Sequence, residues 1–330
     1  MTAPIKLIIV LFGILSVALF GQGRILFTYV DHENGEVRAS ICDENGENKM
    51  DIGFNKTYLP VWFNGKVLLN SLNYIWRCES NGENFTKIGE GFRASSSTTG
   101  KYFSFYTRDG IAVFDSNYNA KKNLVLDVWT DVSVTWIKND SIISFYDPKK
   151  ESTIFFDIEN DSLYSFGKEI FHPVWSKVTR EIIYNKVLNN GNFAIFLNKS
   201  SNPSEKDLVL TAESENALVP IWSNNFDKIA YLRIKEDSLQ TIDSDMLLAD
   251  LILYDLVTRK YQILVRDAGY TDQAYPQFSF DDVDENIFYT SLSDRGTGII
   301  KKVNLESLKT EIISKNILID ERIPLYCKDR

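Results

Sequence analysis

The sequence predicts an all-β fold in which one small unit of strands is repeated along the chain. The first observation is a recurring opening, in which a mostly apolar residue is followed by Pro, one further residue and an aromatic ring. Val219-Pro220-Ile221-Trp222 is a clear example, and the pattern recurs at 59–62, 172–175, 275–278 and 323–326. The second observation is that a polar turn and a run of β-forming residues follow the opening. Recurrence every few tens of residues is typical of stacked or radial repeats.

A third observation is an early internal duplication. Residues 42–53 align without a gap with residues 78–89, and each copy contains an Asn-Gly pair, Asn45-Gly46 and Asn81-Gly82. Asn and Gly both accept the positive φ of a type I′ turn, so each pair predicts a tight hairpin between two strands.

A template of four short strands, which we label A to D in chain order, describes six consecutive repeat units. Strand A carries the aromatic of the opening, or its equivalent. The predicted segments are 58–63, 66–72, 74–79 and 85–88 in the first unit; 93 onward, 101–107, 111–115 and 124–127 in the second; 132–137, 141–146, 153–158 and 163–166 in the third; 172–184, 193–197 and 208–211 in the fourth; Trp222, 228–234, 251–256 and 261–266 in the fifth; and Phe278, 287–292, 299–303 and 310–313 in the sixth.

The two ends of the chain supply the parts of one more unit. Residues 25–30, 37–42 and 49–52 read as strands B, C and D without an A strand, whereas 322–327 reads as an A strand with nothing after it. Joining them closes a ring and removes the open edge that an unclosed sheet would present. The sequence therefore predicts a β-propeller with seven four-stranded blades, with six blades as the alternative.

The repeat resembles that of TolB-type propellers. The resemblance is carried by Pro-x-Trp-Ser at 173–176 and 220–223 and by the strand Ile229-Ala230-Tyr231. In that family the turn after the opening usually reads Pro-Asp-Gly, and here it differs at 177–180, 224–227 and 281–284. The family also has an α/β domain before a six-bladed propeller, and the role of that domain cannot be carried over to this chain.

The N-terminal segment predicts export. Residues 7–20 form an uncharged apolar run after Lys6, and Gly21-Gln22-Gly23 follows as a small-x-small triplet. This layout is typical of a signal peptide over residues 1–23, and an uncleaved membrane anchor is the alternative. Residues 24–330 would then form a single propeller domain in the periplasm or outside the cell. Membrane contact is expected only through an uncleaved N-terminal segment.

The net charge and the cysteine content limit the classes of partner that the chain could bind. The formal net charge is −9, which argues against binding to a nucleic acid backbone. Cys42, Cys78 and Cys327 form an odd set in an exported chain, and we expect them to be small buried residues rather than a disulfide framework. The expected partner is a protein or a cell-envelope component, bound by a monomeric chain.

Candidate binding residues fall in the D-to-A and B-to-C connections, which emerge on one face of a propeller and by analogy surround its ligand or partner site. The longest insertion is the B-to-C loop 236–248. The alternative for these loops is a set of solvated hairpin tips. The candidates on this face are Asp31, His32, Trp129, Asp131, Asp243, Asp245, Asp272, Asp294 and Arg295.

A catalytic interpretation has few residues to use. The chain has two histidines, His32 and His172, and no Gly-x-Ser-x-Gly motif. His172 occupies a position of the repeat that is apolar in other copies, so we expect its side chain to pack rather than to bind a metal. Calcium could gather carboxylates of the D-to-A connections, yet the chain has no Asp-x-Asp-x-Asp-Gly loop, and no cofactor is predicted. The repeated tryptophans are best explained by packing between units.

We therefore expect an exported, non-enzymatic propeller that binds a protein or a cell-envelope component through its loops. The alternative is an enzyme, of polysaccharide lyase, hydrolase or peptidase type, that uses carboxylates at the channel mouth and a bound cation.

Overall fold

The fold is a β-propeller built from antiparallel sheets, which confirms the predicted all-β class. The computed structural model describes residues 23–128, 130, 133–199, 207–234, 246–271, 278–293, 296–314 and 320–328. Within these ranges no helix is long and apolar enough to cross a membrane. The segment predicted as a signal peptide or anchor lies outside the described residues.

The described residues form 28 strands. Their bounds in chain order are β1 (Gly23–Asp31), β2 (Glu36–Asp43), β3 (Met50–Asp51), β4 (Thr57–Phe63), β5 (Lys66–Ser71), β6 (Tyr74–Glu79), β7 (Thr86–Glu90), β8 (Phe92–Ser96), β9 (Tyr102–Thr107), β10 (Gly110–Asp115), β11 (Ala120–Val125), β12 (Thr135–Ile137), β13 (Ile142–Asp147), β14 (Ser152–Asp157), β15 (Ser162–Lys168), β16 (Ile170–Trp175), β17 (Ile182–Val187), β18 (Phe193–Asn198), β19 (Leu208–Val209), β20 (Ala217–Trp222), β21 (Lys228–Ile234), β22 (Met246–Asp255), β23 (Lys260–Thr271), β24 (Phe278–Phe280), β25 (Asn286–Leu292), β26 (Gly298–Asn304), β27 (Thr310–Ile312) and β28 (Asp320–Lys328).

Five sheets are separate units of four strands. Four of them follow the chain order, β4 to β7, β8 to β11, β12 to β15 and β16 to β19. The fifth has the order β28-β1-β2-β3, so strands from both ends of the chain lie side by side. The β1–β28 pairing runs from Gly23↔Lys328 to Val30↔Asp320.

The other eight strands form one continuous sheet. Its order is β20-β21-β22-β23-β25-β26-β27, with β24 paired to β25. The link between its two halves is the pair Ala268↔Ser291. The Asp267 carboxylate reinforces this link, because it accepts hydrogen bonds from Ser291 Oγ at 2.8 Å and Lys301 Nζ at 2.6 Å.

The recurring opening of strand A forms a β-bulge. In β4, β8, β16 and β20 the register shifts at the opening. The bulge residues Leu59, Arg93, His172 and Val219 all have φ between 47° and 54°. Arg93 precedes Ala94 rather than a proline, so the shared feature is the bulge itself. A bulge suits this position because Pro lacks the N–H that a regular ladder requires.

The hydrophobic core lies between successive sheets. One cluster joins Ile142, Phe155 and Phe166 of one unit to Ile182 and Tyr184 of the next. Another joins Ile25 and Phe27 near the N-terminus to Phe288 and Ile300 of the last complete unit. Each buried side chain of this size contributes roughly 1.5–3 kcal/mol. A single sheet has no complete core of its own.

The turns at the two Asn-Gly pairs correct one prediction. Gly46 and Gly82 have φ of 74° and 75°, whereas Asn45 and Asn81 do not have positive φ. The turn at Asn45 is therefore longer than a type I′ turn, and Asp43 Oδ1 supports it by accepting hydrogen bonds from the N–H groups of Asn45 and Glu47. The second copy has the same loop, in which Asn81 Oδ1 accepts a hydrogen bond from the N–H of Glu83.

Two further expectations are corrected near the end of the chain. The aromatic that pairs as Trp222 does with Ile229 is Phe280, which pairs with Ile287, rather than Phe278. Residues 246–248, predicted as the end of a loop, belong to β22, where they pair with β23.

Candidate functional site

The two faces of the propeller are named here by their connections. The loop face carries the D-to-A and B-to-C connections, and the turn face carries the A-to-B and C-to-D turns. Two of the nine predicted site residues, Asp31 and His32, are described, and both lie on the loop face, Asp31 as the last residue of β1 and His32 in the turn to β2. The others lie outside the described residues, namely Trp129, Asp131, Asp243, Asp245, Asp272, Asp294 and Arg295.

Asp31 stabilises its own turn. Its carboxylate accepts hydrogen bonds from the N–H of Glu33 at 2.9 Å, from the N–H of Asn34 at 3.2 Å and from Asn34 Nδ2 at 2.7 Å. The side-chain hydrogen bond from Asn34 is the largest cause that lowers the pKa of this carboxyl below its usual value. His32 is exposed beside it. These contacts are those of a well-capped hairpin tip.

Glu215, a carboxylate of a D-to-A connection, is held within its own unit. Arg233 lies between Glu215, at 3.6 Å, and the buried Asp250, at 2.7 Å. The Tyr231 hydroxyl donates to Glu215 at 3.4 Å. This carboxylate is therefore committed to an ion-pair network. Within the described ranges, no group of three or more His, Cys, Asp and Glu side chains could hold a metal ion.

His172 is a partly buried packing residue, as its apolar counterparts suggested. It sits at the bulge of β16, the position that Leu59 and Val219 fill in other units. Burial lowers the pKa of the ring to about 4, so the imidazole is neutral at pH 7.

The three cysteines are interior, unbridged residues. Burial raises the pKa of the Cys78 thiol to about 12, which removes its thiolate reactivity at neutral pH.

Two of the repeated tryptophans connect neighbouring units. Trp136 Nε1 donates to the carbonyl of Ser95 at 3.3 Å, and Trp222 Nε1 donates to the carbonyl of Val174 at 3.0 Å. Each acceptor belongs to strand A of the preceding unit. The packing role predicted for these rings is therefore confirmed at both positions.

The loop face contains a pocket of about 430 Å³ between two successive units and the connection that follows the second of them. We call it the loop-face pocket, and it is lined by Tyr58, Leu59, Leu72, Asn73, Phe92, Arg93 and Thr130. Leu72 is 60% exposed, and it forms the tight B-to-C turn with Asn73. The predicted residues Trp129 and Asp131 flank Thr130 in the sequence, so the sequence argument selected the neighbourhood of this pocket but none of its lining residues.

The turn face contains a larger cavity, of about 600 Å³, which the sequence argument missed. We call it the turn-face cavity. It is lined by the ends of A strands and the A-to-B turns of five units, among them Trp62, Asn64, Ser97, Asn224, Asp282 and Tyr326. The sequence feature that could have indicated this cavity is the set of A-to-B turns, whose residues differ strongly from one copy to the next.

Carboxylates from neighbouring units fix the turns around this cavity. Asp140, which is 1% exposed, accepts hydrogen bonds from the N–H groups of Thr98 and Thr99 at 2.9 and 3.0 Å. Asp284 accepts in the same way from the N–H groups of Asn224 and Asn225, both at 2.8 Å. Each carboxylate belongs to the unit that follows the turn it holds. Such charge-assisted bonds give the wall of the cavity a fixed geometry.

The turn-face cavity has an acidic lining. Asp281 and Asp282 both line it, and the described residues of its lining include no Lys, Arg or His. The Tyr326 hydroxyl donates to Asp282 Oδ1 at 2.9 Å. Burial and this hydrogen bond raise the pKa of Tyr326 above its usual value, so the hydroxyl remains a donor. The cavity thus combines carboxylate acceptors with aromatic rings.

The comparisons with known proteins support the fold. No family model matches the sequence, and no curated protein has a significantly similar sequence. TolB from Acinetobacter baumannii matches with a TM-score of 0.59 and 13% identity, over 92% of this chain and 66% of that chain. A periplasmic gluconolactonase from Pseudomonas aeruginosa matches with a TM-score of 0.58 and 9% identity, over 92% and 99%.

An oligogalacturonate lyase from Vibrio parahaemolyticus matches with a TM-score of 0.56 and 10% identity, over 89% of this chain and 86% of that chain. Identities this low support the fold alone, and these neighbours include both TolB and enzymes. The chain therefore has a β-propeller fold similar to that of TolB proteins, with a divergent sequence.

Proposed function

We propose that this chain is an exported, non-enzymatic β-propeller that binds another protein through its loop face. The observation that carries the proposal is Leu72, an exposed leucine in a strained backbone conformation beside the loop-face pocket. Its φ is 54°, in the left-handed region that favours Gly or Asn. The conformation costs a leucine about 1–2 kcal/mol. Strain of this kind persists where the surrounding structure imposes it, as at the bulge residues, and it also clusters at binding sites.

The contrast with a second turn of the same unit sharpens this point. The A-to-B turn there uses Asn64 and Gly65, with φ of 51° and 72°, which are the residues that such a turn favours. The B-to-C turn instead places an apolar side chain in solvent. A leucine that is both exposed and strained suits a contact residue better than a structural one.

The surroundings of Leu72 suit an apolar side chain of a partner. Tyr58 and Phe92 supply aromatic surface, and Arg93 adds a polar group at the same pocket. On the same face, the paired ends of β22 and β23 extend beyond Leu251 and carry the partly buried Leu247 and Leu248. Pocket and extension together would give a partner several contacts around one face.

The scaffold under this face is proposed to be a closed ring of seven blades. The eight-stranded sheet counts as two blades because its halves share the single pair Ala268↔Ser291. The sheet that joins β28 to β1 counts as the closing blade. A closed ring holds its loops at fixed distances, which favours preorganised binding by a monomer.

Export rests on the N-terminal segment, whose layout is that of a signal peptide or an anchor. The similarity to TolB and to a periplasmic gluconolactonase supports a periplasmic location.

Site-specific photo-crosslinking tests the proposed loop-face contact. A crosslinking amino acid replaces Leu72 in the full chain, expressed in its source cells. A matched control replaces Val178, which is 66% exposed on the turn face. We expect a discrete protein adduct from position 72 that is absent from position 178 and is lost when Arg93→Glu is added. No adduct at position 72, or the same adducts at both positions, would overturn the proposal.

A second candidate is an enzyme acting on a polysaccharide or peptide, favoured by the presence of a lyase and a gluconolactonase among the structural neighbours. Carboxylates such as Asp131 and Asp272, with a bound calcium ion, would carry the chemistry. Turnover of a polysaccharide that is lost in both Asp131→Ala and Asp272→Ala would favour this candidate over the binding role.

A further inference from the structure

We propose that the turn face lies against a lipid bilayer, with residues 7–20 retained in the membrane as its anchor. This orientation goes beyond the protein contact proposed for the loop face, which would then point away from the membrane. It rests on the place where the N-terminal segment joins the fold and on the side chains that the nearby turns expose.

The N-terminal segment joins the fold on the turn face. β1 is a B strand and begins at Gly23, which pairs with Lys328 near the end of the A strand β28. Gly23 packs so closely against the ring of Tyr326 that a side chain added there would clash with it. Because Tyr326 also lines the turn-face cavity, the junction lies beside that cavity and is held in place by β28.

The connection between the apolar run and the fold is short. The run ends at Phe20 and β1 begins at Gly23, so only Gly21 and Gln22 lie between them. An extended chain covers at most about 10 Å from Phe20 to Gly23. A run that stays in the membrane, whether it crosses the bilayer or lies in its interface, therefore holds the turn face next to the lipid headgroups.

The turns of this face expose aliphatic side chains. Val178, Val257, Val283 and Leu308 lie in A-to-B or C-to-D turns and are 66%, 80%, 55% and 39% exposed. They belong to the fourth, fifth and sixth units, and the sixth packs against β1. Covering apolar surface gains roughly 25 cal/mol per Å², and the interface of a bilayer covers it without the shape complementarity that a protein partner needs.

Cations stand beside three of these four side chains. The turns of Val178, Val257 and Leu308 contain five exposed basic residues, namely Lys177, Arg180, Arg259, Lys260 and Lys309. None of the five forms an ion pair within the part of the chain that the structure describes. Cations next to apolar side chains are typical of protein surfaces that contact lipid headgroups.

The overall charge makes the anchor necessary. The formal net charge of −9 opposes adsorption to an anionic surface by long-range attraction. A second protein molecule is the other occupant that could cover the aliphatic side chains. The short connection from Phe20 favours lipid, because headgroups would already fill the space next to the turns.

Fluorescent labels on the full chain test this orientation. A nitrobenzoxadiazole label is attached to Val257→Cys on the turn face. The matched control is Val125→Cys, since Val125 is 81% exposed at the loop-face end of β11. The native cysteines are buried, so the label goes to the introduced thiol. Each chain is isolated from the membranes of its source cells and reconstituted into vesicles of phosphatidylcholine and phosphatidylglycerol, with and without nitroxide-labelled lipid.

We expect blue-shifted emission and quenching by nitroxide lipid for the label at position 257, and neither effect at position 125. Thermal melts establish that each variant is folded, and Val178→Cys replaces Val257→Cys if the latter does not fold. The proposal is overturned if mass spectrometry shows that the mature chain lacks residues 7–20, if the two labels behave alike, or if only position 125 is quenched. A blue shift at position 257 without quenching indicates a protein contact and also overturns it. Loss of the adduct at position 72 bears only on the loop face.

Discussion

At the scale of single residues, the repeat shows how one position tolerates different chemistry. The bulge position holds Leu59, Arg93, His172 and Val219 in nearly the same backbone conformation. The histidine adds a titratable group that the leucine lacks. Because leucine already occupies the same backbone conformation at position 59, His172→Leu removes the titratable group without a change of backbone. The pKa of His172 is lowered in the folded state, to about 4, from an ordinary value of 6.5.

The first prediction is that His172 makes stability depend on pH. Between pH 6.5 and 4 the unfolded chain binds a proton that the folded chain excludes, so stability is full above pH 6.5 and is lost as pH falls. The loss attributable to His172 is about 2–3 kcal/mol by pH 4, with its partial exposure taken into account. Chemical denaturation of His172→Leu across this window should show a shallower pH dependence than wild type. Val219→Leu, the control, should keep the wild-type slope; equal slopes in wild type and His172→Leu would contradict the prediction.

The second prediction concerns the strain at Leu72. Leu72→Asn should raise the free energy of unfolding by about 0.5–1 kcal/mol, because Asn adopts positive φ more readily. The same change should reduce binding at the loop face, since it removes the apolar contact. Asn64→Ala, at the other turn of this unit, should act in the opposite direction on stability. A destabilised Leu72→Asn variant would show that the leucine has a structural role.

The third prediction compares two buried asparagines at equivalent positions. Asn70 donates to the carbonyl of Leu59 at 2.9 Å and accepts from the N–H of Arg93 in the next unit. Asn185, 1% exposed, finds no partner for its side-chain amide among the described residues. Asn70→Leu should cost about 2–4 kcal/mol, whereas Asn185→Leu should be neutral or stabilising. Equal losses in urea denaturation would contradict the assignment of these contacts.

At the scale of elements, the A-to-B turns are held by the unit that follows them. The fourth prediction is that Asp140→Ala lowers the free energy of unfolding by about 3 kcal/mol, because two N–H groups lose a buried charged acceptor. Asp284→Ala, at the more exposed equivalent position, should cost about half as much. Thermal denaturation of both variants measures the difference. A smaller loss of stability in Asp140→Ala than in Asp284→Ala would contradict the assignment of Asp140 as a buried acceptor for the turn.

The sequence predicted the elements better than their connections. Strands followed from the aromatic opening and the β-forming runs, because those patterns are local. The turns at Asn45-Gly46 and Asn81-Gly82 differed from the prediction because side-chain acceptors, Asp43 in one and Asn81 in the other, bond to N–H groups within a longer loop. Trp62 was grouped with the other motif tryptophans, since only the arrangement in space separates a ring that donates to a neighbour from one that lines a cavity.

At the scale of the whole molecule, the pairing of β28 with β1 ties the two ends of the described chain together. A partly buried ion pair adds to this contact, since Lys49 Nζ lies 2.5 Å from the carboxylate of Glu321, which is 3% exposed. The four-stranded unit and the pairing of the terminal strands were predictable from the complementary ends of the sequence. The turn-face cavity was not, because it forms where turns of five units meet.

The fifth prediction is that deletion of residues 320–330 strongly destabilises the protein. It would uncover the edge of β1 and the cores around Ile25 and Leu26, at a cost of roughly 5 kcal/mol or more. Calorimetry should show a much lower melting temperature or aggregation. Deletion of residues 329–330 alone is the control and should leave the melting temperature unchanged; equal stability of the two truncated chains would argue against a closed ring.

We propose that Leu72 on the loop face contacts a protein partner. This contact can be measured as the affinity of the purified crosslinked partner for wild type, Leu72→Asp and Val178→Asp by calorimetry. Leu72→Asp should weaken binding by about tenfold or more, while Val178→Asp should bind as wild type does. Wild-type affinity in Leu72→Asp, or a loss confined to Val178→Asp, would contradict it.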